Sequence, residues 1–183
     1  MQKLRFQMAN SLQYGRRWVK ILYMWYEMGR NATIWGDCMF LGTYKQKLDS
    51  KGRMVVPSKY RDEIGESNLV VVPWWEGNLT VFTTEGFEEY MQTLNELQGS
   101  AADKRQIKRF IAANADMCRP DAQGRILLNQ KLRAYAHLDG EVVITGDMES
   151  FEIWTPEMWE KESETLSDAV GMSGMLEKMK QLG

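Results

Sequence analysis

The chain has 183 residues, 44% hydrophobic and 26% charged, with a formal net charge of −2. That is ordinary globular composition with room for one or two small cores, and no overall basicity advertises nucleic acid, although local charge rather than the total sets a binding face. Two cysteines, Cys38 and Cys118, and a single histidine, His137, leave no disulfide scaffold and no metal-ligand spacing, and fit a reducing compartment.

Residues 1–38 differ from the rest. They carry Lys3, Arg5, Arg16, Arg17, Lys20 and Arg30 against Glu27 and Asp37. The apolar stretch Trp18–Tyr26 is interrupted by Lys20 and falls short of the roughly 20 residues of a membrane span. No small-residue cleavage pattern marks a signal peptide. A basic amphipathic segment for a membrane surface is one reading. The other, adopted here, is a disordered extension or a segment upstream of the natural start at Met39.

From Phe40 the pattern is regular. Tyr44, Gln46 and Leu48 alternate with Lys45 and Lys47, as in a strand. Asp49-Ser50-Lys51-Gly52 reads as a turn, with Asp bonding its own following backbone and Gly accepting positive φ. Met54-Val55-Val56 reads as a buried strand stopped by Pro57. Ser58 is expected to cap a short helix over residues 59–64. Leu69–Val72 and Leu79–Phe82 read as a hairpin. Thr84 is the expected cap of a helix from Glu85 to about Gln98, with Phe87, Tyr90, Met91, Leu94 and Leu97 on its apolar face. A second helix is expected over residues 101–116, with Ile107, Phe110 and Ile111 on one face. Its Lys104, Arg105, Lys108 and Arg109 read as a solvated basic face.

The pattern then recurs. Asp49-x-x-Gly52-Arg53 returns as Asp121-x-x-Gly124-Arg125, an offset of 72 positions. Val70 and Val71 match Val142 and Val143, and Leu79, Val81, Phe82 and Thr83 match Phe151, Ile153, Trp154 and Thr155 at the same offset. A constant register over this length marks two copies of one structural unit. Pro156 opens a terminal helix, and the tail beyond about Ser167 is expected to fray or dock weakly.

No catalytic constellation emerges. Asp49 and Asp121 could pair as carboxylates if the units pack face to face, but an Asp in such a turn is more often structural. No nucleophile context surrounds any Ser, and no phosphate loop is present. The binding reading is stronger. Lys51 and Arg53 in one copy and Arg125 in the other place cationic side chains on tight turns. Arg offers a fork suited to phosphate oxygens or to guanine O6 and N7. Lys45, Lys47, Lys59 and Arg61 lie close in sequence and could meet backbone phosphates. The competing reading is that Arg53 and Arg125 pair internally with Asp49 and Asp121, and both can hold together.

Met39-Phe40-Leu41-Gly42, Leu48-Asp49-Ser50-Lys51-Gly52-Arg53, Pro57, Tyr60-Arg61, Asp121-x-x-Gly124-Arg125, Leu132-Arg133 and Gly146…Phe151-Glu152-x-Trp154 closely resemble the MraZ family. The resemblance runs from Met39 to about Trp159. These are bacterial transcriptional regulators built from two SpoVT-AbrB-type swapped-hairpin units. The resemblance implies an α+β fold of two such tandem β units joined and flanked by helices: unit 1 at 43–86, linking helices at 87–114, unit 2 at 115–158, and a C-terminal helix and tail at 159–183. It implies a non-enzymatic, sequence-specific DNA-binding regulator of the division and cell-wall gene cluster. Its partner would be double-stranded DNA carrying direct repeats upstream of its own gene. The protein would be cytoplasmic and nucleoid-associated, a ring-like homo-oligomer without cofactor, metal or membrane. Arg53 and Arg125 match the arginine of the family turn, and Lys51 the basic position beside it; Lys45 and Lys47 join them as DNA contacts, while Asp49, Gly52, Asp121 and Gly124 shape the turns. The second copy departs: Gln123 stands for Lys51 and Asn129 for Pro57. The alternative function is an oligomeric interaction or scaffold protein without specific DNA readout.

Family members begin at the position of Met39, with TGGG-type repeats as operators. In residues 1–38, Trp25-Tyr26 encodes TGGT, Met28-Gly29 encodes TGGG and Trp35-Gly36 encodes TGGGG. Their spacings, about 10 and about 20 bases, match one and two turns of B-DNA. Gly36-Asp37 can encode a ribosome-binding sequence. Residues 1–38 are therefore expected to be translated operator and leader.

Overall fold

The structure, a computed structural model, describes residues 39–96 and 100–167. The N-terminal extension, Leu97, Gln98 and Gly99, on which the expected end of the first linking helix falls, and the tail beyond Ser167 lie outside the described residues.

Among the described residues, eight strands and five helices form a mixed α+β arrangement. The first repeat comprises β1 (Thr43–Lys47), β2 (Arg53–Val55), α1 (Ser58–Ile64), β3 (Leu69–Pro73) and β4 (Leu79–Thr83). Two helices follow, α2 (Thr84–Glu96) and α3 (Ala101–Asn114). The second repeat comprises β5 (Asp116–Cys118), β6 (Arg125–Leu127), α4 (Gln130–Tyr135), β7 (Glu141–Gly146) and β8 (Phe151–Trp154), and α5 (Pro156–Ser167) closes the described chain.

The repeats exchange strands. One six-stranded antiparallel sheet runs β1-β7-β8-β4-β3-β5, and a separate two-stranded ribbon pairs β2 with β6. Thus β1 of the first repeat pairs with β7 of the second, Thr43 facing Thr145 and Lys47 facing Glu141. Reciprocally, β5 of the second repeat pairs with β3 of the first, Leu69 facing Cys118. The two hairpins meet at the centre, where Thr80 faces Glu152.

Period-two alternation sends each strand's side chains to two cores. On one face, Leu69, Val71, Leu79, Val81, Val142, Ile144, Phe151 and Ile153 pack beneath the ribbon and its helices, against Met54, Val56, Tyr60, Ile126, Leu128 and Leu132. On the other, Val70, Val72, Trp74 and Phe82 pack against Leu94 of α2 and Ile111 of α3, flanked by Phe87, Tyr90 and Met91. Each fully buried aliphatic or aromatic side chain stabilises by about 1.5–3 kcal/mol. Phe40 anchors the start of the described chain in the first core. Its ring meets Tyr60 edge-on at 5.2 Å and Phe151 at 5.3 Å, and the Tyr60 hydroxyl donates to the Gly42 carbonyl at 2.8 Å.

Several local expectations are corrected. Ser58 does not cap α1: it is the first helical residue, behind Pro57, and the helix opens without a side-chain cap. Nor does Thr84 cap α2. Thr83 Oγ1 accepts from the Gly86 N–H at 3.0 Å, while the Thr84 hydroxyl donates to the Asn68 carbonyl. The helix α3 stops at Asn114, because Ala115 turns extended and the chain enters β5. Of its expected apolar face only Ile111 is buried; Ile107 and Phe110 are exposed. Val55 is also exposed, because the β2–β6 ribbon buries one face only. Lys104 is half-buried and donates to the Asn95 carbonyl, so the basic face of α3 is not wholly solvated.

Candidate functional site

The Asp-x-x-Gly-Arg turns enter the ribbon, one at each strand. In the first, Asp49 Oδ1 accepts the backbone N–H groups of Lys51 and Arg53, each at 2.9 Å, and the Asp49 carbonyl accepts from Gly52 at 2.9 Å. The other carboxylate oxygen holds the guanidinium: Arg53 Nε donates to Asp49 Oδ2 at 2.7 Å, and Nη2 lies 2.7 Å from the same oxygen. The second turn repeats this atom for atom. Asp121 Oδ1 accepts from Gln123 and Arg125, each at 2.9 Å, and Oδ2 takes Arg125 Nε at 2.8 Å and Nη2 at 2.7 Å. The internal pairing is therefore real in both copies. It engages one edge of each fork and leaves further donors of the five-donor group.

The electrostatics follow from these bonds. The Arg53 side chain, then the Arg53 backbone N–H, hold Asp49 well below the usual carboxylate range, at about 2, against an opposing effect of burial. Asp121 is lowered for the same reasons, by the Arg125 side chain first. Arg125 is raised in turn by its hydrogen bond to Asp121, with Asp49 adding an attraction from across the ribbon.

The ribbon register is Arg53 facing Leu127, Met54 facing Ile126 and Val55 facing Arg125. Met54 and Ile126 point into the core, and Arg53, Val55, Arg125 and Leu127 form the outer face. The arginines occupy diagonal corners, offset by two residues along the ladder, roughly 7 Å of strand rise. The turns are also tied to each other across the repeats. Val56 N–H donates to the Gly124 carbonyl at 2.9 Å, and Leu128 N–H to the Gly52 carbonyl at 3.0 Å. Helix arginines lie over the turn glycines of the opposite repeat. A Cβ at Gly52 would meet Arg133 Nε at 2.6 Å, and one at Gly124 would strike Arg61 Cδ. Their φ values of +78° and +71° already require glycine.

Lys51, Lys45 and Lys47 are exposed, Lys51 at the tip of the first turn and the other two on edge strand β1. Gln123, at the position matching Lys51, instead accepts from Arg125 Nη2 at 2.9 Å. Asn129, at the position matching Pro57, caps α4 by accepting from Leu132 N–H at 2.9 Å and donates to Asp116 Oδ2 at 2.7 Å. Sequence reasoning missed Arg119, exposed just ahead of the second turn. The repeat offset, which sets Arg119 against Lys47, could have found it.

The MraZ family model, described as MraZ protein, putative antitoxin-like, matches the chain twice, over residues 39–110 and 111–175. The chain belongs to the MraZ family. Relatives each called transcriptional regulator MraZ agree. The one from Lachnoclostridium phytofermentans is 41% identical over 68% of this chain and 87% of its own length. That from Leuconostoc citreum is 40% identical over 67% and 85%, and that from Moorella thermoacetica 39% over 71% and 90%. MraZ proteins are a family of transcriptional regulators and not of enzymes. Burial first, then Asp116, push the Cys118 thiol up to about 12. Among the described residues no helix is long and apolar enough to cross a membrane.

Proposed function

We propose that this MraZ-family chain is a sequence-specific DNA-binding transcriptional regulator, acting on direct repeats in double-stranded DNA upstream of its own gene in the division and cell-wall cluster. The observation that carries this is the β2–β6 ribbon, whose outer face offers two arginines buttressed in identical geometry by Asp49 and Asp121. A two-stranded ribbon fits a major groove about 12 Å wide. The roughly 7 Å offset of the arginines corresponds to two base-pair steps of about 3.4 Å. Arg53 leads the readout with Lys51 beside it, Arg125 follows, and Lys45 and Lys47 meet phosphates. The first turn is the stronger contact, because Lys51 adds a charge where Gln123 only restrains Arg125.

The repeats, 43–86 and 115–158, act as SpoVT-AbrB-type swapped hairpins, a reading supported by the exchange of β1 and β5. One chain presents few cations, so a homo-oligomer, ring-like and nucleoid-associated in the cytoplasm, gains affinity on repeated operators through effective concentration. The test is a fluorescence-anisotropy titration of the DNA upstream of codon 39 against scrambled DNA, for wild type and Arg53→Ala. Loss of a bidentate base contact of about 1–3 kcal/mol weakens specific binding about 5- to 150-fold. Equal binding of both DNAs by wild type would overturn the reading and leave an oligomeric scaffold in its place.

A further inference from the structure

Beside the second turn lies a cavity of about 230 Å³ whose walls come from both repeats. Arg61, Glu66 and Ser67 come from α1 and the loop after it, and Arg119 and Asp121 from the approach to β6. We propose that this cavity is a phosphate-binding site, with Arg61 and Arg119 as the groups that hold the phosphate oxygens.

Three observations support it. First, among the described residues neither Arg61 nor Arg119 has a carboxylate in ion-pair range, although both line one cavity. Two arginines that line one cavity without an ion-pair partner favour an anion there, and their planar forks suit phosphate. Second, Asp121 does not neutralise them. Its Oδ2 is taken by Arg125 and its Oδ1 by two backbone N–H groups. Counting that pair as neutral, Arg61 and Arg119 face Glu66 alone, an excess of one positive charge. Third, Arg61 is positioned by packing. Its Cδ, Nη1 and Cζ lie where a Cβ on Gly124 would fall, so the side chain rests on the turn. The matching Arg133 rests on Gly52 in the same way, but its Nε is committed to the Leu128 carbonyl at 3.0 Å.

The phosphate has two possible sources, the DNA backbone next to the ribbon or a free phosphorylated small molecule. Only the first rests on the operator-binding reading. The test uses the full chain, as wild type, Arg119→Gln, and Arg61→Gln with Arg119→Gln. In one arm pyrophosphate is titrated calorimetrically. In the other the salt dependence of operator binding is measured, with far-UV circular dichroism as a control for folding. A free-phosphate site loses at least about tenfold in pyrophosphate affinity in the double variant, the tenfold being about 1.4 kcal/mol. A backbone contact instead lowers the log–log salt slope by about 0.9 per phosphate lost, with preference for the native repeats unchanged. Either result supports the site and names its source. A folded double variant that keeps both the wild-type pyrophosphate behaviour and the wild-type salt slope overturns it. If wild type binds no operator, the regulator reading falls, and the pyrophosphate arm alone decides the site. The single variant Arg119→Gln, altered at an exposed side chain, keeps the test open should the double variant fail to fold.

Discussion

Asp49 fixes a turn with one carboxylate oxygen and aims an arginine with the other. Both tasks need the anion, so the bonds that shape the turn also hold Asp49 down to about 2, from an ordinary 3.8. The carboxyl is easier to ionise folded than unfolded, and linkage then fixes the direction. The turn's contribution to stability is complete above about pH 3.8 and is lost as pH falls towards 2. Carboxyl-carbon NMR should find Asp49 titrating near pH 2 in wild type and moving up towards 3.8 in Arg53→Ala, since the Arg53 side chain is the largest cause. A wild-type midpoint near 3.8 would show that the pair does not persist in solution. The glycine between them is constrained separately. Gly52→Ala meets both a left-handed φ, worth about 1–2 kcal/mol, and the Arg133 guanidinium. Gly65→Ala, at φ +58° with nothing within 4 Å of the new Cβ, meets only the first. Urea melts should therefore rank Gly52→Ala as the more destabilising. The reverse order would mean that Arg133 swings away freely.

The ribbon is short, three residues a side, and cannot stand alone. It is held by its inner face, where the paired Met54 and Ile126 are almost wholly buried in the first core. Ile126→Ala removes buried methylenes and should cost about 2–5 kcal/mol by chemical denaturation. It should also weaken operator binding without removing a cation. Unchanged affinity in a folded Ile126→Ala variant would mean that the turns recognise DNA independently of the ribbon. Much of this element was legible in the sequence, because its signals are local. Asp-x-x-Gly-Arg declares a turn through the chemistry of Asp and Gly, and the alternation over Tyr44–Leu48 declares a strand. What escaped depends on partners far along the chain. Met54-Val55-Val56 reads as uniformly buried, yet Val55 faces out because its neighbour is β6 rather than a full sheet. Arg61 was legible as a cation near the first turn, but Arg119, and the cavity the two share, gain meaning only once α1 of one repeat is laid against the turn of the other.

At the scale of the whole molecule the decisive feature is reciprocity. Each repeat gives its first strand to the other's hairpin and half of the ribbon to a shared layer. A repeat by itself lacks a partner for β1, for β2 and for the edge of β3. Unpaired backbone groups on those strands and the exposed inner face of Met54 and Val56 make a folded monomer of one repeat untenable. The repeats share one pattern, however, so a second copy of the same repeat can supply what is missing. A fragment of residues 39–99 should thus be largely unfolded at low concentration and gain β structure only as it dimerises. Sedimentation velocity and circular dichroism across a dilution series should show both changes at the same concentration. A fragment that remains folded as a monomer would show that the exchanged strands are dispensable, and with them the shared ribbon as the reason the two turns act as one surface.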